Sequence, residues 1–167
     1  MAELQRITNE YLETEDRLRL TGESGQGEVV SLWLTQRLVL RLLPHLLDYL
    51  NQSIAENTKA KTLVQGFAQQ SAMTGLATQP PVQAQSDAQP WLVTEVDVSH
   101  APPHVAIHLK GLQGQRASLS MEYRQLRQWL AIIRGLWQQA QWPDDIWPQW
   151  MNETLPTTAT QAGKAVH

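Results

Sequence analysis

The chain has no cysteine, one phenylalanine and little charge: only 17% of its 167 residues are Asp, Glu, Lys or Arg. Without cysteine there is no disulfide, no thiolate metal site, no iron–sulfur cluster and no cysteine nucleophile. Basic residues are scarce as well, with 13 Lys+Arg against 16 Asp+Glu and a formal net charge of −3. Phosphate affinity rests on clustered lysine and arginine, so neither nucleic acid nor an acidic membrane surface is an expected partner. Long apolar runs are also missing. The richest stretch, residues 38–50, holds Arg41, Pro44, His45 and Asp48 and falls short of the roughly 20 apolar residues that a membrane span needs. The opening Met1-Ala2-Glu3-Leu4-Gln5-Arg6 reads as neither a secretory signal nor a lipidation motif, and the expected location is cytoplasmic.

Catalytic signatures are equally sparse. No HExxH or EF-hand pattern occurs, and the glycines of residues 22–27 (GESGQG) lead into a β pattern without the Lys-Ser/Thr of a phosphate loop. Ser31, Ser99 and Ser118 sit in no GxSxG elbow. Glu13, Glu15 and Asp16, like Asp144 and Asp145, read as solvated charge. His100, His104 and His108 recur every four residues. On a strand, however, His104 and His108 stand roughly 13 Å apart, too far to share one ion. No metal or cofactor is expected, and the reading leans away from an enzyme.

What is present is a repeated pattern of strands and helices. Residues 6–12 read as a strand, or residues 2–15 as a helix. Residues 16–21 alternate polar and apolar, residues 29–35 are rich in β-branched and aromatic side chains, and the glycine-rich turn between them makes the pair a hairpin. Thr35 is placed to cap a helix over residues 36–57 whose polar stripe of Arg37, Arg41, His45, Asp48 and Gln52 is narrow. A helix that apolar is either central to the domain or covered by a second copy of the chain. A shorter helix over residues 58–74 places Leu63, Val64, Phe67 and Ala68 on one side.

Residues 77–90 (ATQPPVQAQSDAQP) have the composition of a flexible Pro/Gln-rich linker. Beyond it the pattern resumes, with strands over 91–98, 104–109 and 117–121 and a helix over 122–141 whose Leu126, Trp129, Leu130, Ile133 and Trp137 share one face. A shift of 87 residues lays Gln26-Gly27 on Gln113-Gly114, Ser31-Leu32 on Ser118-Leu119 and Arg37 on Arg124. The fold expected is therefore α+β: an antiparallel sheet of about six strands from two β-β-β-α repeats, with helices on one face. Residues 1–76 hold the first repeat and an additional helix, and residues 91–151 the second repeat with its Trp-rich end. Residues 152–167 form a disordered tail, and both repeats share one domain.

Two groups of residues stand out as candidate sites. Arg37 and Arg41 open the first long helix, and Arg124 and Arg127 open the second. Guanidinium groups near helix N-termini suit an anion. Four of the seven tryptophans fall between Trp137 and Trp150, so Trp142, Trp147 and Trp150 either form a lid over the helix layer or anchor a partner. The function expected is a non-catalytic protein-interaction or assembly protein, self-associating as a homodimer through the helix at 36–57. The alternative is a small-molecule or anion-binding protein with an Arg-lined pocket between the repeats.

Overall fold

The computed structural model describes residues 2–54, 60–76, 79–85 and 89–151. The tail at 152–167 lies outside them, as do parts of the linker. Strands β1 (Ala2–Leu12), β2 (Arg17–Ser24) and β3 (Val29–Leu34) lead into helices α1 (Gln36–Gln52) and α2 (Lys61–Thr74). Strands β4 (Trp91–Leu92), β5 (Glu95–Ala101), β6 (His104–Lys110) and β7 (Arg116–Glu122) lead into α3 (Tyr123–Gln139). Two short 3-10 turns, Asp144–Ile146 and Gln149–Met151, follow. The α+β class holds, and the first segment is a strand, not a helix.

The expected sheet needs correction. It has seven strands in the order β4-β3-β2-β1-β7-β6-β5 and is mixed, not antiparallel. Ala2, Glu3 and Leu4 pair in parallel with Ala117, Ser118 and Leu119, while Trp91 and Leu92 pair in parallel with Leu32 and Trp33. The first strand of each half thus starts beside the last strand of the other half, and both of these joints are parallel. The seventh strand arises because the run 91–101 breaks at Val93 and Thr94. Val93 N–H donates to the Trp33 carbonyl at 3.1 Å, and Thr94 N–H donates to the Lys110 carbonyl at 2.9 Å. Consecutive residues therefore bond to opposite ends of the strand order, and the sheet curls until its first and last strands are pieces of one run.

Register decides what the curled sheet encloses. Leu18 stands opposite Tyr11 and Leu34, and Leu20 stands opposite Asn9 and Leu32. Val105 faces Met121 and Ile107 faces Leu119. Side chains directly opposite share a face, so these form one inner surface, and Leu18, Leu20, Leu32, Val105 and Ile107 are completely buried. The helices pack on that side. α3 lies against β1, β7 and β6, and Trp129 Nε1 donates to Asn9 Oδ1 at 3.4 Å. Val39, Leu42, Leu43, Leu46 and Leu50 of α1 join the same core.

Both long helices start where the sequence pattern puts them. Thr35 Oγ1 accepts from Leu38 N–H at 3.1 Å, and Glu122 forms a capping box with Gln125. The outward face of the sheet carries Thr8, Glu10, Arg19 and Trp33. Residues 79–85 of the expected linker cross it: Val82 is 5% exposed, and its N–H donates to Thr8 Oγ1 at 2.8 Å.

Gly27 and Gly114, at the tips of the β2–β3 and β6–β7 hairpins, have φ of +82° and +79°. A β-carbon at either position meets no neighbour, so only backbone conformation opposes one. Gly27→Ala and Gly114→Ala should each cost about 1–2 kcal/mol in urea unfolding. Gly135→Ala, inside α3 with open space around it, should instead stabilise by about 0.5–1 kcal/mol.

Candidate interaction site

Helix α2 packs the wrong way round for an amphipathic helix. Leu63, Val64 and Phe67 are 58, 41 and 62% exposed, whereas Gln65 and Gln69 are 1% exposed and Ala72 3%. The buried stripe has the spacing 65, 69, 72 of a core-facing helix, but two of its three members are amides. The side that carries Leu63, Val64 and Phe67 therefore faces outward.

The amides are engaged by a polar seam between the helices. Gln65 Nε2 donates to the Leu50 carbonyl and to Asn51 Oδ1, both at 3.0 Å. Gln65 Oε1 accepts from Arg127 Nη2 at 2.6 Å. Gln69 Nε2 donates to the Arg127 carbonyl at 2.9 Å, and Gln128 Nε2 donates to the Ala72 carbonyl at 2.9 Å. Arg127 is only 4% exposed, and its guanidinium carbon lies 5.5 Å from the centroid of the Trp150 ring. Burial pushes its pKa down to about 10, so it stays a cation at neutral pH. No carboxylate pairs with it among the described residues, and Arg127 Nη1 and Gln69 Oε1 lack protein partners there. Stranding such a cation costs roughly 3–5 kcal/mol, and each orphaned amide about 1–3 kcal/mol more.

The four arginines do not converge. Arg37 and Arg41 lie on the exposed stripe of α1. Arg124 is exposed and lies against Gly75, where a β-carbon would come within 1.6 Å of its Nη2. A cation there suits the C-terminal end of α2. Arg127, one turn further along α3, points inward. A groove of about 540 Å³ on the outer face is lined by Glu10, Arg19, Pro81, Val82, Gln83, Ala84, Gln85 and Pro90, and by none of these four. Within it Arg19 and Glu10 pair at 2.6 Å.

The histidines also part company. His100 stacks on Tyr49 of α1 with ring centroids 4.1 Å apart, and its Nε2 lies 2.5 Å from the Tyr123 hydroxyl. His104 is exposed beside Glu122 at 3.6 Å. Among the described residues no three His, Asp or Glu side chains gather as a metal-holding group.

Trp142, Trp147 and Trp150 are 7, 5 and 7% exposed, so their rings are occupied within this chain's own core. Trp137 is completely buried and meets Trp142 and Trp147 edge-on at 4.8 and 5.9 Å. Its Nε1 donates to the Pro143 carbonyl at 2.7 Å, which fastens the turn leading into the segment. Trp142 packs edge-on against Tyr11 at 5.6 Å, and its Nε1 donates to Asp16 Oδ1 at 3.1 Å. The segment thus packs on α3 at Trp137 and on β1 at Tyr11. The sequence reading missed which side of α2 faces out; its only signal was that Gln65, Gln69 and Ala72 also make a helical stripe.

Tryptophan emission in the native protein should be blue-shifted and poorly quenched by acrylamide, because five of the seven indoles, including Trp129, are at most 7% exposed. Red-shifted, freely quenched emission would place the rings outside. No protein-family model, curated protein or solved structure matches the chain.

Proposed function

We propose that the chain is a non-catalytic protein-interaction or assembly protein that self-associates, with the outward face of α2 as its contact surface. The observation that carries this reading is the exposure of Leu63, Val64 and Phe67 on adjacent turns of one helix. Contiguous apolar surface of that kind marks interaction sites on otherwise polar exteriors. Helix α1 is the less suited surface, because Leu42, Leu43, Leu46 and Leu50 are already buried within the chain.

The occupant argued for is a second copy. From Thr62 to Thr74, α2 has no ionisable residue, so the face neither rewards a charged partner nor repels its own image. A twofold contact of like faces satisfies this chemistry. One short helix per copy contributes less than the roughly 800 Å² per partner of a standard interface, so the association is weak and concentration-dependent. The anion-binding alternative gains no support from the placement of the arginines.

The reading also treats the two β-β-β-α runs as copies of one unit. It is supported by register: Leu18–Leu34 and Leu20–Leu32 correspond, at a shift of 87, to Val105–Met121 and Ile107–Leu119. α1 and α3 are each 17 residues long and start at the same offset. A cytoplasmic location remains part of the proposal, and no helix among the described residues is long and apolar enough to cross a membrane.

Sedimentation velocity over a concentration series should show a monomer–dimer equilibrium that is insensitive to salt. Phe67→Asp should remain monomeric throughout with an unchanged circular dichroism spectrum, because it sets like charges across the twofold. A benzophenone side chain at position 67 should crosslink to a second copy in the native host. Adducts with other proteins only would keep the interaction face but replace its occupant. A monomer at every concentration with no adduct at all would overturn the reading.

A further inference from the structure

We infer that Arg127 is a positioning residue that holds α2 with its apolar face outward. This rests on reading that face as the contact surface, and it identifies what sets the presentation of the face. Two residues of α2, one turn apart, are tied to this single residue of α3. Gln65 Oε1 accepts from the guanidinium, and Gln69 Nε2 donates to the main-chain carbonyl. The other end of Gln65 reaches the Leu50 carbonyl and Asn51, so the seam clamps α2 between the end of α1 and the middle of α3.

The alternative packing is a half-turn roll of α2 about its axis, which would bring Leu63 and Phe67 against α3. That roll removes the only side-chain oxygen bonded to the Arg127 guanidinium among the described residues, where the group is otherwise met by the Trp150 ring. Arg127 is 4% exposed, and water cannot replace the lost acceptor without opening the layer.

Beyond the seam, α2 is held at its C-terminal end, where Gln128 Nε2 donates to the Ala72 carbonyl, and by the turn at Gln149–Met151. Its N-cap, Ala60, makes no side-chain cap bond, and neither an acidic residue in the first turn nor a basic one in the last supports it. Orientation is therefore set by a polar seam, and the apolar side is left for a partner. Helices usually obey the opposite rule, in which apolar burial sets the orientation and polar groups face water.

Peptide-resolved hydrogen exchange on the full chain tests the assignment. Arg127→Met keeps an apolar stem and removes the donors, so amides of 61–74 should exchange about ten-fold faster or more while β2 and β6 keep their protection. Arg127→Lys restores a cation and a donor to Gln65 and should recover part of the protection. Gln65→Met breaks the same bond from the α2 side without altering α3, and should reproduce the Arg127→Met pattern if that variant folds poorly. An equal rise in β2 and β6 would make Arg127 a general core residue and overturn the inference, as would unchanged exchange in α2. Because this readout needs no partner, a wild-type protein that stays monomeric would overturn the proposed self-association and leave the positioning role standing.

Discussion

The fold depends on one short junction, where Val93 and Thr94 direct consecutive N–H groups to β3 and to β6. A strand that changes neighbours within two residues converts an open seven-stranded sheet into a curled one. Its terminal strands are then consecutive pieces of chain, so the sheet does not end in two independent edges of the kind that invite uncontrolled pairing. The burial of Val93, at 2% exposure, follows from its position at that turn. Leu4 occupies the related place in β1: the pairing with β2 shifts register between Leu4 and Arg6, just where parallel pairing with β7 ends. Each half thus gives the start of its first strand to the other half, and neither can complete its sheet alone.

Curling creates a concave inner face too large for the strands' own side chains to fill. The helices and the tryptophan segment complete it, drawing both halves into one hydrophobic cluster. This explains why α1 is so apolar. A helix that closes a concave sheet is covered by its own chain along one side, where Val39, Leu42, Leu43, Leu46 and Leu50 are buried, while Leu38, Leu40 and Leu47 are half-buried. It also explains the local concentration of tryptophan. Trp137, Trp142 and Trp147 meet edge-on, an arrangement that fills large gaps and adds about 0.5–1.5 kcal/mol per pair beyond area burial. Their indole N–H groups matter too, since those of Trp137 and Trp142 anchor the segment to Pro143 and Asp16.

Much of the local structure was legible because short-range chemistry determines it. The alternation of residues 16–21, the β-branched and aromatic content of 29–35, the glycine-rich turn, the Thr35 cap and the spacing of Leu126, Leu130 and Ile133 each carry their own signal. Strand order was not legible, because parallel pairing of Ala2–Leu4 with Ala117–Leu119 is a contact between residues more than a hundred positions apart. In Trp91-Leu92-Val93-Thr94-Glu95 three apolar residues are followed by two polar ones, which interrupts the alternation but does not say which strands the two pieces join. The candidate arginines were grouped by equivalent places on two helices, yet side-chain direction separates Arg127 from Arg124 after a single turn.

Helix α2 shows most clearly why hydrophobic periodicity alone misplaces a surface. Fully burying a Leu, Val or Phe side chain contributes roughly 1.5–3 kcal/mol. Leu63, Val64 and Phe67 are already about half covered, so turning them inward would gain only part of that. Against this stands the penalty for a buried guanidinium without an acceptor, roughly 3–5 kcal/mol, together with the orphaned amides of Gln65 and Gln69. The polar side therefore prevails once Arg127 is committed to the interior. Arg127 is committed because α3 has Leu126, Trp129, Leu130 and Ile133 in the core and cannot rotate to release it. The orientation of α2, and with it the position of the exposed apolar face, is in the end dictated by the packing of a different helix.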